Sequence, residues 1–300
     1  MRRVTVTVDG LSVSVPEGAT LLDAARECGV DTPTLCWAEN LTPVNVCRVC
    51  VVEVQGARTL VPACARKAEE GMVVRTDTPR VRTSRKVVLE LLVSSVDTST
   101  APQMRAFAER YGADPSRFGP PAPGGAFGER DAAVTGHHHG SDGGVAATVE
   151  QPRKVDNQLY IRDYGKCITC YKCVEACGTD AQNTFAIAVA GRGFDARIST
   201  EYDVPLPDSA CVYCGNCINV CPTGALMFKS EADLRDAGAW DEGRQSTTKT
   251  ICPYCGVGCT IELTVQDNRI VRVMSPADGA VTAGNLCIKG RFGVTFVHGE

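Results

Sequence analysis

Aromatic residues make up only 6% of this 300-residue sequence, histidine occurs four times, and the formal net charge is −4. With few rings and no basic excess, the chain carries neither a base-stacking platform nor the electrostatic footprint of a nucleic-acid binder. No stretch approaches the ~20 consecutive apolar residues of a membrane helix. Met1-Arg2-Arg3 is followed by alternating Val and Thr rather than an apolar run. The N-terminus therefore lacks a secretory signal, and the arginine pair is a poor twin-arginine signal. A G-x-G-x-x-G fingerprint for NAD or flavin is also missing. Hydrophobic content of 44% and charged content of 22% are ordinary for a soluble protein. The length suits two or three small domains rather than one large core. The expected setting is the cytoplasm.

What the sequence has in excess is cysteine, at 17 residues. In a secreted chain that would suggest disulfides. Here the C-x2-C spacings favour metal chelation by reduced thiolates. Cys167, Cys170, Cys173 and Cys177 form one run, and Cys211, Cys214, Cys217 and Cys221 a second. Both read C-x2-C-x2-C-x3-C, and Pro222 completes the Cys-Pro ending of bacterial-type ferredoxins. In that pattern three cysteines of one run hold one [4Fe-4S] cluster and the fourth crosses to the other. Cys167, Cys170, Cys173 and Cys221 are thus assigned to one cluster. Cys211, Cys214, Cys217 and Cys177 are assigned to the other. One such run alone could be a zinc site; two with identical spacing favour iron–sulfur.

Ahead of these runs, residues 4–8 and 11–15 alternate polar and Val around Asp9-Gly10, a hairpin signal. Thr20 to Asp23 opens a short helix with a capping-box pattern. Cys36, Cys47, Cys50 and Cys64 follow with C-x10-C-x2-C-x13-C spacing. Val51–Val54 reads as a strand, and residues 72–76 as the closing strand. Strands, one helix and a cysteine loop within 1–78 fit a β-grasp [2Fe-2S] ferredoxin domain. The text from Cys47 to Val54, Val61 to Cys64 and Glu70 to Thr76 resembles the N-terminal domain of three groups. These are the G subunit of NADH:quinone oxidoreductase, iron-only hydrogenases and NAD-linked formate dehydrogenase alpha subunits. That resemblance implies a [2Fe-2S] cluster on Cys36, Cys47, Cys50 and Cys64. Asn45 stands where the family usually has Gly, and Asn best tolerates a left-handed backbone among the other residues. Cys28 reads as a buried free thiol.

Residues 79–118 are expected to be helical. The first helix covers 79–95, with Val87, Val88, Leu91 and Leu92 on its apolar face, and a second starts near Pro102. Related G subunits carry a His/Cys3 cluster in this region, but residues 79–136 contain neither Cys nor His. The resemblance therefore implies that this cluster is absent, which counts against a respiratory complex. Residues 119–150 read as a flexible linker; 119–146 alone hold three Pro and eight Gly. The His137, His138 and His139 triplet inside it reads as a chance feature of a polar linker. The double-cluster domain is placed at 151–232, with a strand at Thr184–Val189 and packing roles for Tyr171 and Tyr213. A helix and a short connection are expected over 230–247.

The final segment, 247–300, carries Cys252, Cys255, Cys259 and Cys287 in C-x2-C-x3-C-x27-C spacing. A hairpin turning at Asp267-Asn268 lies between them. Four cysteines could form a zinc ribbon. The Cys252 to Cys259 string instead resembles the N-terminal [4Fe-4S] domain of molybdopterin oxidoreductases. By that resemblance these four cysteines hold a third [4Fe-4S] cluster, and Lys289 helps relay the electron between cluster and pterin. Sixteen of the 17 cysteines are then used, leaving Cys28.

The expected fold class is α+β, with three cluster domains in series. The domain order resembles the N-terminal part of NAD-linked formate dehydrogenase alpha subunits. The resemblance implies an electron-transfer subunit of a cytoplasmic formate dehydrogenase. Its Mo or W bis-pterin would be held by a partner chain, and a flavin-containing, NAD-reducing subunit would take the electrons. The catalytic metal ligands of that family would lie beyond Glu300, and His298 falls too soon to be its catalytic histidine. This stretch is accordingly not expected to oxidise formate alone. The alternatives are a subunit of a hydrogenase–diaphorase or NADH dehydrogenase-like complex, and a non-catalytic, zinc-binding or vestigial fragment.

Overall fold

The computed structural model describes residues 2–117, 153–193 and 196–298. The segment read as a linker, with its histidine triplet, lies outside the described residues. The chain divides into two units, residues 1–37 with 43–148 and residues 38–42 with 149–300.

In the first unit, β1 (Arg3–Val8) and β2 (Leu11–Pro16) form the expected hairpin. Asp9 and Gly10 take φ of 48° and 88°, a turn backbone whose twist matches the strands it joins. Helix α1 (Leu21–Glu27) begins at a true capping box: Thr20 Oγ1 accepts from the Asp23 N–H, and the Asp23 carboxylate accepts from the Thr20 N–H. Strands β3 (Val51–Val54), β4 (Val61–Pro62) and β5 (Val73–Arg75) complete a sheet of order β2-β1-β5-β3-β4. The strand expected to close the sheet, β5, lies at its centre, parallel to β1 and antiparallel to β3. Its Val74 is 1% exposed, and order along the chain does not dictate order across a sheet. Leu21, Leu22, Ala24 and Ala25 of α1 pack onto Val4, Val6, Val8, Val52 and Val74. Each large aliphatic side chain so buried contributes roughly 1.5–3 kcal/mol.

Helices α2 (Pro79–Ser95) and α3 (Pro102–Tyr111) start where expected, each with proline in its first turn. The apolar face read from Val87, Val88, Leu91 and Leu92 is not the buried one. The helix turns Val81, Arg85, Leu89 and Val93 inward and leaves Leu91 about half exposed. The buried stripe is partly charged, so counting apolar residues could not find it. Arg85 donates to Tyr111 Oη at 2.7 Å and to the Val51 carbonyl at 2.9 Å, and buried Glu90 pairs with Arg117 at 2.8 Å.

In the second unit, β6 (Tyr160–Arg162) pairs with β9 (Leu226–Phe228), flanked by the short helices α4 (Lys172–Cys177) and α5 (Asn216–Val220). Residues 38–42 belong to this unit, where Leu41 packs on Ala176 and Val220. The strand expected at Thr184–Val189 forms only from Ala188. There β7 (Ala188–Ala190) pairs with β8 (Arg197–Ser199). Asn183 and Phe185 adopt positive φ, which interrupts extended backbone before that point. Helix α6 (Lys229–Asp236) leads to a meander of β10 (Gln245–Ile251), β11 (Thr260–Gln266) and β12 (Arg269–Met274). The β11–β12 turn is Asp267-Asn268, as expected, with φ of 52° and 62°. Strand β10 is an addition: its polar, mostly exposed residues occupy a sheet edge and carry no alternation to read. Helix α7 (Ile288–Phe292) starts directly after Cys287. Among the described residues no helix is long and apolar enough to cross a membrane.

Candidate metal centres

Cys36, Cys47, Cys50 and Cys64 come together beside the β-grasp sheet. Cys36, Cys50 and Cys64 are buried, Cys50 and Cys64 have their sulfurs 3.3 Å apart, and the Cys47 N–H donates to Cys36 Sγ at 3.5 Å. The loop reaches this geometry through left-handed backbone at Asn45 (φ 64°) and Arg48 (φ 57°). Donation from the Cys47 and Cys64 thiols pulls the Cys36 thiol well below its ordinary range. The same contacts with Cys36, reinforced by burial, push Cys47 and Cys64 up. Four crowded sulfurs of this kind form a soft donor set that a thiophilic metal would discharge of its protons.

The two runs of the second unit share one backbone. The residue two after the first cysteine and the residue four after it are left-handed in both: Thr169 and Tyr171, Tyr213 and Gly215. This curl turns a backbone N–H onto the first sulfur, Thr169 to Cys167 at 3.3 Å and Tyr213 to Cys211 at 3.4 Å. Cys177, Cys211, Cys214 and Cys217 line one cavity together with Tyr160, Thr184 and Leu206. Burial, then the neighbouring charges of Cys167, Cys170 and Cys221, pushes the Cys173 thiol far up. Burial likewise holds Cys167 up to about 12. The structure therefore brings the last cysteine of each run to the other run. Buried thiols such as Cys167 and Cys173 that resist ionisation fit a site whose metal supplies the positive charge, and the N–H groups aimed at sulfur fit a cluster's ligands.

Three hydroxyls also reach these sulfurs: Tyr160 Oη at 3.3 Å from Cys211, Thr184 Oγ1 at 3.4 Å from Cys177 and Thr223 Oγ1 at 3.8 Å from Cys221. No sequence signal marks them, because Tyr160 arrives by β6–β9 pairing and not by proximity along the chain. Tyr160 stacks on Phe292 and meets Tyr213 edge-on, so Tyr213 has the packing role expected of it. The part played by Tyr171 is its left-handed backbone at the start of α4.

In the last segment Cys252 and Cys259 are buried, whereas Cys255 and Cys287 are exposed. Burial and the charges of Cys252, Cys255 and Cys287 raise the Cys259 thiol. Lys289 is exposed on α7. Exposed Tyr254 and Val257 lie among these cysteines in the chain, and exposed Ile288 follows the last of them. His298 is structural: its Nε2 accepts from the Ile270 N–H at 3.0 Å and so braces β12. Cys28 lies outside all four quartets. It is only half-buried, because it caps the C-terminus of α1 at the rim of the sheet core and not beneath it.

Arg291 also escaped sequence reading. Arg291 is 0% exposed, and burial lowers its guanidinium to about 10, still protonated at neutral pH. It donates to the Cys214 carbonyl, the side-chain oxygens of Asn216 and Asn219, and the Val273 carbonyl. Among the described residues no three His, Cys, Asp or Glu side chains gather closely enough for a single metal ion.

Comparison with known proteins finds iron–sulfur domains over the same three segments. Residues 1–79 match the model of a 2Fe-2S iron–sulfur cluster binding domain, 166–225 a 4Fe-4S dicluster domain, and 245–299 the molybdopterin oxidoreductase Fe4S4 domain. The chain is an iron–sulfur protein of mixed α and β structure, with its cluster-binding domains in that order. The NADH-quinone oxidoreductase G 2 subunit of Rhizobium meliloti is 32% identical over 98% of this chain and 32% of its own length. The NADP-reducing hydrogenase subunit HndD of Solidesulfovibrio fructosivorans is 37% identical over 76% of this chain and 36% of its own. A putative formate dehydrogenase of Staphylococcus haemolyticus is 25% identical over 96% of this chain and 30% of its own. A chain of a solved NAD+-reducing [NiFe]-hydrogenase superposes with a TM-score of 0.58 at 26% identity, covering 75% of this chain and 87% of that one. This chain has the N-terminal iron–sulfur region common to NADH-quinone oxidoreductase G subunits, formate dehydrogenase-like proteins and hydrogenase subunits. It spans about a third of the length of the curated relatives it matches.

Proposed function

We propose that the chain is an iron–sulfur electron-transfer subunit of a cytoplasmic oxidoreductase complex, carrying electrons between a catalytic partner and an NAD-linked flavin partner. Cys36, Cys47, Cys50 and Cys64 hold a [2Fe-2S] cluster, and the two crossed quartets each hold a [4Fe-4S] cluster. Cys252, Cys255, Cys259 and Cys287 hold a third [4Fe-4S] cluster, whose exposed side receives electrons with the help of Lys289. Bound clusters supply one-electron carriers; the protein's part is to hold the thiolates, keep water from the buried sulfurs and aim N–H and O–H donors at them.

The observation that carries this reading is the cavity lined by Cys177 together with Cys211, Cys214 and Cys217. A cysteine 34 positions before the first of the others would have no reason to join them in a simple zinc knuckle. Metal and sulfide analysis of anaerobically purified protein tests it. The expected content is about 14 iron atoms per chain, two plus three times four, with matching sulfide; zinc without inorganic sulfide refutes it.

Two catalytic partners fit this chain. A Mo or W bis-pterin chain of a formate dehydrogenase is favoured by the molybdopterin-type match at 245–299. A hydrogenase–diaphorase or NADH dehydrogenase-like complex is equally favoured by the hydrogenase superposition and the G-subunit relative. Affinity purification from the native cell separates them: a pterin protein recovered with the chain supports the first, a hydrogenase large subunit the second.

A further inference from the structure

The mechanism of cluster holding leaves Arg291 unused, although its side chain is fully buried. A fully buried guanidinium is stable only with compensation. Its hydrogen-bond acceptors are all neutral: the carbonyls of Cys214 (3.3 Å) and Val273 (3.0 Å) and the amide oxygens of Asn219 (2.8 Å) and Asn216 (3.1 Å). Among the described residues no carboxylate forms an ion pair with it. The side chain instead lies along the backbone between two ligands of the site, with Nε on the Cys214 carbonyl, Nη2 on Asn216 and its stem against Gly215. Two further observations show a built position. A Cβ on Gly215 would come within 2.8 Å of Arg291 Cγ, so the glycine inside the cysteine run makes room for the arginine stem. Asn216 and Asn219, both on α5, are held in turn by the Leu286 N–H at 2.9 Å and the Ser275 N–H at 3.1 Å.

We propose that Arg291 is the positioning residue and internal counter-charge of the Cys177, Cys211, Cys214 and Cys217 site, raising the electron affinity of the cluster held there. The proposal rests on the cluster reading above. A cluster with four thiolate ligands is an anion, and each reduction adds one negative charge without breaking a bond. A fixed cation beside two of its ligands stabilises the reduced form more than the oxidised one. Because Arg291 also sits on α7, four residues after Cys287, its hydrogen bonds join the loop of one quartet to the helix following another.

The test is an EPR-monitored redox titration of the full chain and its Arg291→Met, Arg291→Gln and Arg291→Lys variants, with iron content measured in parallel. The cluster is identified by the signal missing from a Cys211→Ser variant. The neutral variants are expected to lower its electron affinity at least tenfold, about 59 mV for a one-electron couple, while the lysine variant recovers most of the loss. An unchanged potential in a neutral variant with full iron overturns the proposal, as does a lysine variant shifted as far as the methionine one. If neither neutral variant keeps its iron, Asn219→Asp decides. It sets a carboxylate against the guanidinium, and the proposal requires the potential to fall and is overturned if it does not. Failure of the cluster reading is distinguishable, since the wild-type chain would then carry no iron.

Discussion

Replacing Asp156 by Asn should be among the most damaging isosteric changes in the second unit. Arg162 is 1% exposed, and its guanidinium pairs with the Asp156 carboxylate. That carboxylate also accepts from the Leu206 N–H at 2.9 Å and the Asn157 side chain at 3.0 Å. The Nε and Nη1 of Arg162 are buried without hydrogen-bond partners, so Asp156 is its principal compensation. Removing one member of a buried pair strands the other, at a cost of about 3–5 kcal/mol. For a unit of this size, 1 kcal/mol moves the melting temperature by roughly 2–4 °C, so the loss should be on the order of 6–20 °C. The double variant Asp156→Asn/Arg162→Met removes the stranded charge and should regain most of it. Burial by itself would raise the Asp156 pKa, but the donors at Leu206, Asn157 and Arg162 outweigh it and leave the carboxyl below its ordinary range. The folded pKa being depressed, the pair's contribution is fully present above about pH 3.9 and is lost as pH falls through the folded value. The single variant should lack that acid limb. Thermal unfolding by circular dichroism between pH 3 and 7 measures all three. A single variant within about 1 kcal/mol of wild type, or a double variant no better than the single, would refute the reasoning.

Two further outcomes follow from the sulfur environments. Tyr160→Phe deletes the hydroxyl 3.3 Å from Cys211 Sγ while keeping the ring on Phe292. It should lower the potential of the associated cluster by tens of millivolts, about 0.5–1 kcal/mol for one hydrogen bond, in a redox titration. Asn45→Gly should be tolerated and Asn45→Val should cost about 1–2 kcal/mol, because only the first accepts the observed φ of 64°. Cluster retention under mild denaturant, followed by visible absorbance, reads the difference.

The sequence was most legible where short-range chemistry dictates the backbone. Asp9-Gly10, the Thr20 capping box, Val51–Val54 and Pro79–Ser95 are all at their expected positions, because turn residues, caps and β-branched runs act locally. Cysteine spacing is local in the same sense, since it limits which sulfurs one loop can gather, as the shared curl at Thr169 and Tyr213 shows. The face of α2 was not, because Arg85 and Glu90 are buried through partners on other elements. Strand β10 was invisible because an exposed edge needs no alternation. Tyr160, Arg162 and Arg291 were missed for one common cause. Tyr160 and Arg291 meet their partners dozens of residues away, and Arg162 is buried by strand pairing with Leu226 although its Asp156 partner is near in the chain, so no local pattern announces them.

The two cysteine runs follow the same path, yet the fourth residue after the first cysteine is Tyr171 in one and Gly215 in the other. The stem of Arg291 fills the room left at Gly215. A near-symmetric pair of half-domains thereby becomes handed. The helix after Cys287 seats on the half whose backbone is bare at that position. The two halves consequently carry different neighbours: Arg291 lies against Gly215, and Leu41 packs on Ala176 and Val220.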